Sequence, residues 1–195
     1  MKRKIVRTIA VGSFALIVML GAAWQARAQD AKTPYPAMAP VDQYLMADPN
    51  AEIALARSAT PISISDDATV LVLEKRGYRT AFKDKNGFTC LVERAWMSPF
   101  DSPEFWNPKM RGPICYNPAA VRTIPPYTTN RTRLTLTGFS KAQIHESIAA
   151  AIAKNELPVP EAGAMSFMMS KSGNICNAMG TGVHISCFMC PKQRT

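Results

Sequence analysis

The stretch from Val70 to Trp96, VLVLEKRGYRTAFKDKNGFTCLVERAW, constrains the fold more than any other part of the chain. Val70 to Leu73 is continuously apolar, and Tyr78, Thr80 and Phe82 alternate with Arg79, Ala81 and Lys83. Asp84-Lys85-Asn86-Gly87 is a turn signal, after which Phe88, Cys90 and Val92 fall on one face of a third run. Period-two spacing bounded by turn residues predicts a three-stranded meander.

Helix signals surround it. Asp48-Pro49 supplies an N-cap acid with proline at the first helical position, and Glu52 puts a further acid in the first turn, so a short helix is expected to end before Pro61. Ile53 and Leu55 do not lie four apart, which predicts a narrow buried stripe at the sheet edge. Ser140 and Gln143 have capping-box spacing, Phe139 and Ile144 are placed for a hydrophobic staple, and Ile144, Ile148, Ala151 and Ile152 form one apolar face. Pro158 ends this helix. Asn117-Pro118 opens a one-turn helix, Pro125-Pro126 interrupts regular structure after it, and Thr132 to Thr137 alternates as a strand. Ala164 to Ser170 and Val183 to Met189 alternate as two late strands. The expected architecture is α+β: an antiparallel sheet built on the meander, with the long amphipathic helix packed across it.

The first 28 residues read as a signal peptide. Lys2, Arg3, Lys4 and Arg7 precede an apolar run from Ile9 to Ala23, and Ala26-Arg27-Ala28 fits the small-x-small cleavage rule. The run is shorter than the roughly 20 residues a membrane-spanning helix needs, so no stable span is expected after cleavage. Residues 29–47, rich in alanine and proline, read as a linker, and 48–195 as one domain. Without residues 1–28 the chain holds 18 basic against 14 acidic residues, a formal +4 with no basic run longer than two. A nucleic-acid partner is therefore not expected. The expected location is the bacterial periplasm or the exterior, where thiols are oxidised.

Five cysteines come after the signal peptide. Cys90 and Cys115 bracket a proline-rich loop, and joining them would remove roughly 3 kcal/mol of unfolded-chain entropy. That loop, WMSPFDSPEFWNPKMRGPICYNP, holds Trp96, Phe100, Phe105, Trp106 and Tyr116. A solvated loop does not carry such an apolar load. Either it folds back as a lid on the sheet, or Trp96, Phe105, Trp106 and Tyr116 line a groove for an envelope ligand, with Asp101 or Glu104 as polar partner.

Catalytic and metal signals are sparse. Cys176, His184, Cys187 and Cys190 are zinc-ligand types, but strand alternation turns Cys187 away from His184 and Cys190. Cys187-Phe188-Met189-Cys190 matches a thiol-oxidoreductase pair, with Pro191 where that chemistry needs a helix to start. His184 with Glu93, Asp101 or Glu104 is the remaining combination for a hydrolase or metal-dependent enzyme. His145 lies at the margin of an apolar stripe, a boundary position. No cofactor is expected, since the hydrolase, phosphate-loop and dinucleotide signatures are missing from the sequence.

The succession AEIALARSA (51–59), VLVLEKRGY (70–78), KNGFTCLVERAW (85–96), FDSPEFWNPKMRGPICYNPAA (100–120), GFSKAQI (138–144) and ELPVPEAGAMSFMMSK (156–171) resembles a group of uncharacterised exported bacterial proteins. The resemblance implies export and no particular activity. That group carries a Trp-His-Pro-His type run near the tail, where this chain has Val183-His184-Ile185-Ser186 and keeps one histidine.

Overall fold

The computed structural model describes residues 34–83, 85–169 and 184–187, the last four as backbone only. The expected signal peptide, Cys176, Cys190 and the side chains of His184 and Cys187 lie outside the described residues. Among the described residues no helix is long and apolar enough to cross a membrane.

The fold is α+β around a six-stranded mixed sheet, in the order β2-β1-β3-β4-β5-β6. Its strands are β1 (Thr69–Glu74), β2 (Gly77–Phe82), β3 (Thr89–Glu93), β4 (Gly112–Tyr116), β5 (Met165–Met168) and β6 (His184–Cys187). The helices are α1 (Pro49–Arg57), α2 (Ile62–Ser65), α3 (Pro118–Thr123), α4 (Pro125–Leu136) and α5 (Lys141–Ala153).

The meander is not the topology found. β1 and β2 form the expected hairpin, but β3 runs parallel to β1 along its other edge, with Val70 opposite Cys90. The turn lies where its residues predict, and the strand after it pairs with β1 instead of β2. Asn86 donates through Nδ2 to the Ile64 carbonyl at 2.8 Å and accepts from Phe88 N through Oδ1 at 3.0 Å. Lys85 N donates to the Asp67 carbonyl and Thr69 N to the Phe88 carbonyl, each at 2.8 Å. These bonds fasten the connection to the chain just before β1, so β3 starts where β1 starts and must run alongside it.

Both faces of the sheet are covered. α1 lies across β1, β3 and β4, not at the edge. Its buried stripe is Glu52 and Ala56, four apart, and the alanine lets the helix settle onto Val70, Cys90, Val92 and Cys115. On the opposite face Leu91, Ile114 and Tyr116 pack with Ala120 and Ile124 of α3 and its junction with α4. The long amphipathic helix expected across the sheet, α5, instead packs on α4. It closes a third cluster with Trp96, Phe105, Trp106 and Leu134 through Ile144, Ile148 and Ala151. Ile152 falls off that stripe and is 48% exposed.

Two further expectations are corrected. Thr132 to Thr137 is helical up to Leu136: Pro125 and Pro126 occupy the first turn of α4, where their missing N–H groups cost nothing, so they open a helix. The 29–47 linker is folded from Tyr35, where the compact unit begins. Tyr44 is fully buried, accepts from Ala39 N and donates through its hydroxyl to the Trp106 carbonyl at 2.8 Å. Tyr35, Met38 and Leu45 pack against the same cluster, apolar content that outweighs the prolines around them.

Candidate functional site

Cys90 and Cys115 sit directly opposite each other on β3 and β4 and are joined by a disulfide. Both are fully buried beneath α1. The bond closes the base of the loop that leaves β3 and returns as β4.

Inside that loop the aromatic residues point inward. Trp96, in the short turn Ala95–Met97, is fully buried and donates its indole N–H to Thr132 Oγ1 at 3.1 Å, with the Tyr44 ring 5.0 Å away. Phe105 stacks on Phe100 at 5.5 Å and meets Trp106 edge-on at 4.6 Å. A shallow surface groove does exist, lined by Leu45, Met46, Pro49, Leu73 and the Glu74–Arg76 turn. None of Trp96, Phe105, Trp106 or Tyr116 lines it.

What the aromatic rings enclose is a cation of the chain itself. Arg131 of α4 is 3% exposed. Its guanidinium carbon lies 4.0 Å from the centre of Phe100, 5.2 Å from Phe105 and 5.8 Å from Tyr127. Arg131 also donates to the Tyr127 hydroxyl at 2.8 Å and to the Ser98 carbonyl. Among the described residues its Nε has no hydrogen-bond partner. Burial pulls the guanidinium pKa down, while the Tyr127 hydroxyl and the charge of Glu93 pull it back up. Desolvated cation–π contact with a planar guanidinium favours arginine here over lysine.

Glu93 ends β3 opposite Gly112. Its Oε1 accepts from the Tyr116 hydroxyl at 2.6 Å. Burial raises the carboxyl pKa, against the pull of that hydroxyl and of the Arg131 charge. Tyr116 is raised well above the ordinary phenol range by burial and by the neighbouring carboxylate. The Thr128 hydroxyl of α4 lies beside the phenol and, among the described residues, has no well-formed hydrogen bond of its own. Glu93, Tyr116, Thr128 and Arg131 thus make one polar cluster between the sheet and α4.

The other candidates fall elsewhere. Asp101 is exposed, and Glu104 Oε2 accepts from its neighbour Asn107 at 2.6 Å. The backbone of His184 is on β6, opposite Met168. β6 is three strands from β3, about 14 Å at ordinary strand spacing, so the topology does not bring His184 to Glu93. His145 is exposed and touches the Phe100 ring edge-on at 4.7 Å. Among the described residues no group of three or more His, Cys, Asp or Glu is arranged to hold a metal ion.

Sequence reasoning names Glu93 as a partner for His184 and Tyr116 as a groove residue, not as members of one cluster, and it misses Arg131 and Thr128, which lie on a helix whose second half has the pattern of a strand. It also misses the ion pair of Glu52 and Arg94, 2.9 Å apart and both buried. The available signal is Glu52 itself, an acid at the position where the helix stripe needs an inward-facing residue. Comparison of the chain with protein-family models, with curated proteins and with solved structures returns no match.

Proposed function

We propose that the chain is exported through residues 1–28 and acts in the bacterial periplasm or outside the cell as a non-catalytic binding or structural domain. The observation that carries this reading is the filled aromatic loop: its rings are spent on Arg131 and on each other, as in a structural lid. The Cys90–Cys115 disulfide is compatible with an oxidising compartment, and the resemblance to exported bacterial proteins points the same way. Any envelope ligand would then meet the outer surface of the domain and not Trp96 or Trp106.

The test uses the purified chain lacking residues 1–28. Native protein should hold no stoichiometric metal, Cys90 and Cys115 should resist thiol reagents until the chain is both reduced and unfolded, and iodide should leave Trp96 and Trp106 emission unquenched. Stoichiometric metal, or native labelling of Cys90, overturns the reading.

A second reading, a hydrolase or metal-dependent enzyme, has one observation in its favour, and it concerns Glu93 without His184, from which the strand order separates it. The raised pKa of Glu93 is what a general acid requires. Turnover in a panel of ester, amide and glycoside substrates, abolished by Glu93→Gln, would replace the binding reading with this one.

A further inference from the structure

We propose that Glu93, Tyr116 and Arg131 form a proton-operated clasp that sets how tightly α4 and the aromatic loop are held on the sheet. Four structural pieces meet there. β3 contributes Glu93, β4 contributes the Tyr116 hydroxyl at 2.6 Å, α4 contributes Thr128 and Arg131, and the loop contributes the Ser98 carbonyl and the rings around Arg131. Further titratable or charged neighbours are Tyr78 of β2, which feels the Glu93 charge and donates to the Val92 carbonyl at 2.8 Å, Tyr127 on Arg131, and from α5 Lys141 over the Phe105 ring and His145 against the Phe100 ring. Beyond Tyr78 lie Arg111 and the buried Glu52–Arg94 pair.

With Glu93 protonated, the cluster holds a neutral acid and a neutral phenol in a half-buried position, which suits its low polarity. With Glu93 ionised, a charge remains in that position. Among the described residues its one hydrogen-bond partner is Tyr116, and its compensating charge is Arg131, whose two terminal nitrogens already serve Ser98 and Tyr127. The folded carboxyl has its pKa raised above the unfolded value. Its stabilising contribution is therefore fully present below the ordinary carboxyl range and is lost as pH rises through the folded value. The clasp tightens in acid and loosens toward neutrality. Its use as a sensor of the pH of the surroundings rests on the exported location, whereas the clasp itself does not.

Hydrogen exchange of the α4 amides tests it, with α1 on the opposite face as internal reference and intrinsic exchange rates divided out. Between about pH 3 and about pH 7.5, α4 protection relative to α1 should fall about tenfold for each unit by which the Glu93 pKa exceeds that of an ordinary glutamate. Glu93→Gln, neutral throughout, should remove the pH dependence; a variant that repeats the wild-type profile overturns the clasp. Should Glu93→Gln fail to fold, carboxyl ¹³C titration of the wild-type protein decides. A midpoint above the ordinary value of about 4.3 supports the clasp, and one at or below it overturns the clasp. Neither result bears on where the protein resides.

Discussion

At the scale of single residues, the molecule depends on charges it has taken out of water. Arg94 donates through Nη2 to Glu52 Oε1 at 2.9 Å and through Nε to the Tyr44 carbonyl at 2.7 Å. The same Glu52 oxygen accepts from Leu73 N at 3.1 Å. One ion pair thereby joins α1, β1, the end of β3 and the segment before α1. Removing one member leaves the other buried and uncompensated, a cost of about 3–5 kcal/mol. Glu52→Ala should lose about that much in urea unfolding, and Glu52→Leu combined with Arg94→Met should lose less than Glu52→Ala alone. Equal losses would show that packing, not stranded charge, sets the cost. The pairing of Glu52 with Arg94 is illegible in sequence: the place of Glu52 in the helix stripe hints at burial, but Arg94 looks like an ordinary surface residue. Only the tertiary arrangement makes them partners, 42 positions apart.

Among the elements, the helix whose local chemistry is complete is the most legible. α5 begins with the expected capping box, Ser140 Oγ accepting from Gln143 N at 3.3 Å and Gln143 Oε1 accepting from Ser140 N at 2.9 Å. It ends at Asn155, whose φ of +57° turns the chain so that Asn155 N reaches the Ile152 carbonyl at 3.0 Å and Glu156 N the Ala151 carbonyl at 2.9 Å. Ser140→Ala should cost about 1 kcal/mol. Asn155→Val should cost about 1–2 kcal/mol, because a β-branched residue resists the left-handed conformation. Thermal unfolding of the two variants gives both values, and an unchanged melting temperature for Asn155→Val would contradict the assignment. α4 misleads because its threonines alternate with longer residues, the pattern of a half-buried strand. Their hydroxyls bond instead to backbone carbonyls one turn back, Thr129 to Pro125 at 2.8 Å and Thr135 to Arg131 at 2.9 Å. Thr128, Arg131, Thr132 and Thr135 are buried on one helical face. A polar buried face has no apolar periodicity to detect. The parallel placement of β3 is hidden for a related reason: it depends on where Asn86 hydrogen-bonds, not on the strand's own composition.

For the whole molecule, the folded boundary lies earlier than composition suggests. A chain beginning at Tyr35, where the compact unit starts, should unfold in one cooperative transition. One beginning at Asp48 lacks Tyr44, so Trp96 and Trp106 lose a packing neighbour and Arg94 loses an acceptor. The shorter chain should be less stable by several kcal/mol in urea unfolding; equal midpoints would restore residues 35–47 to the status of a linker. Aromatic cages elsewhere capture cationic groups from partners, with an occupancy fixed by concentration in solution. Here the cation is tethered to the cage by its own backbone, so its effective concentration is set by chain geometry and the cage stays occupied in the folded state. Arg131 acts as an intramolecular ligand, and the receptor it fills should become usable once it is removed. Arg131→Ala should be destabilised, and low millimolar methylguanidinium should restore part of the loss where an equal concentration of methylammonium restores less. The rescue would turn a structural arginine into a dissociable one and make the strength of the cage directly titratable.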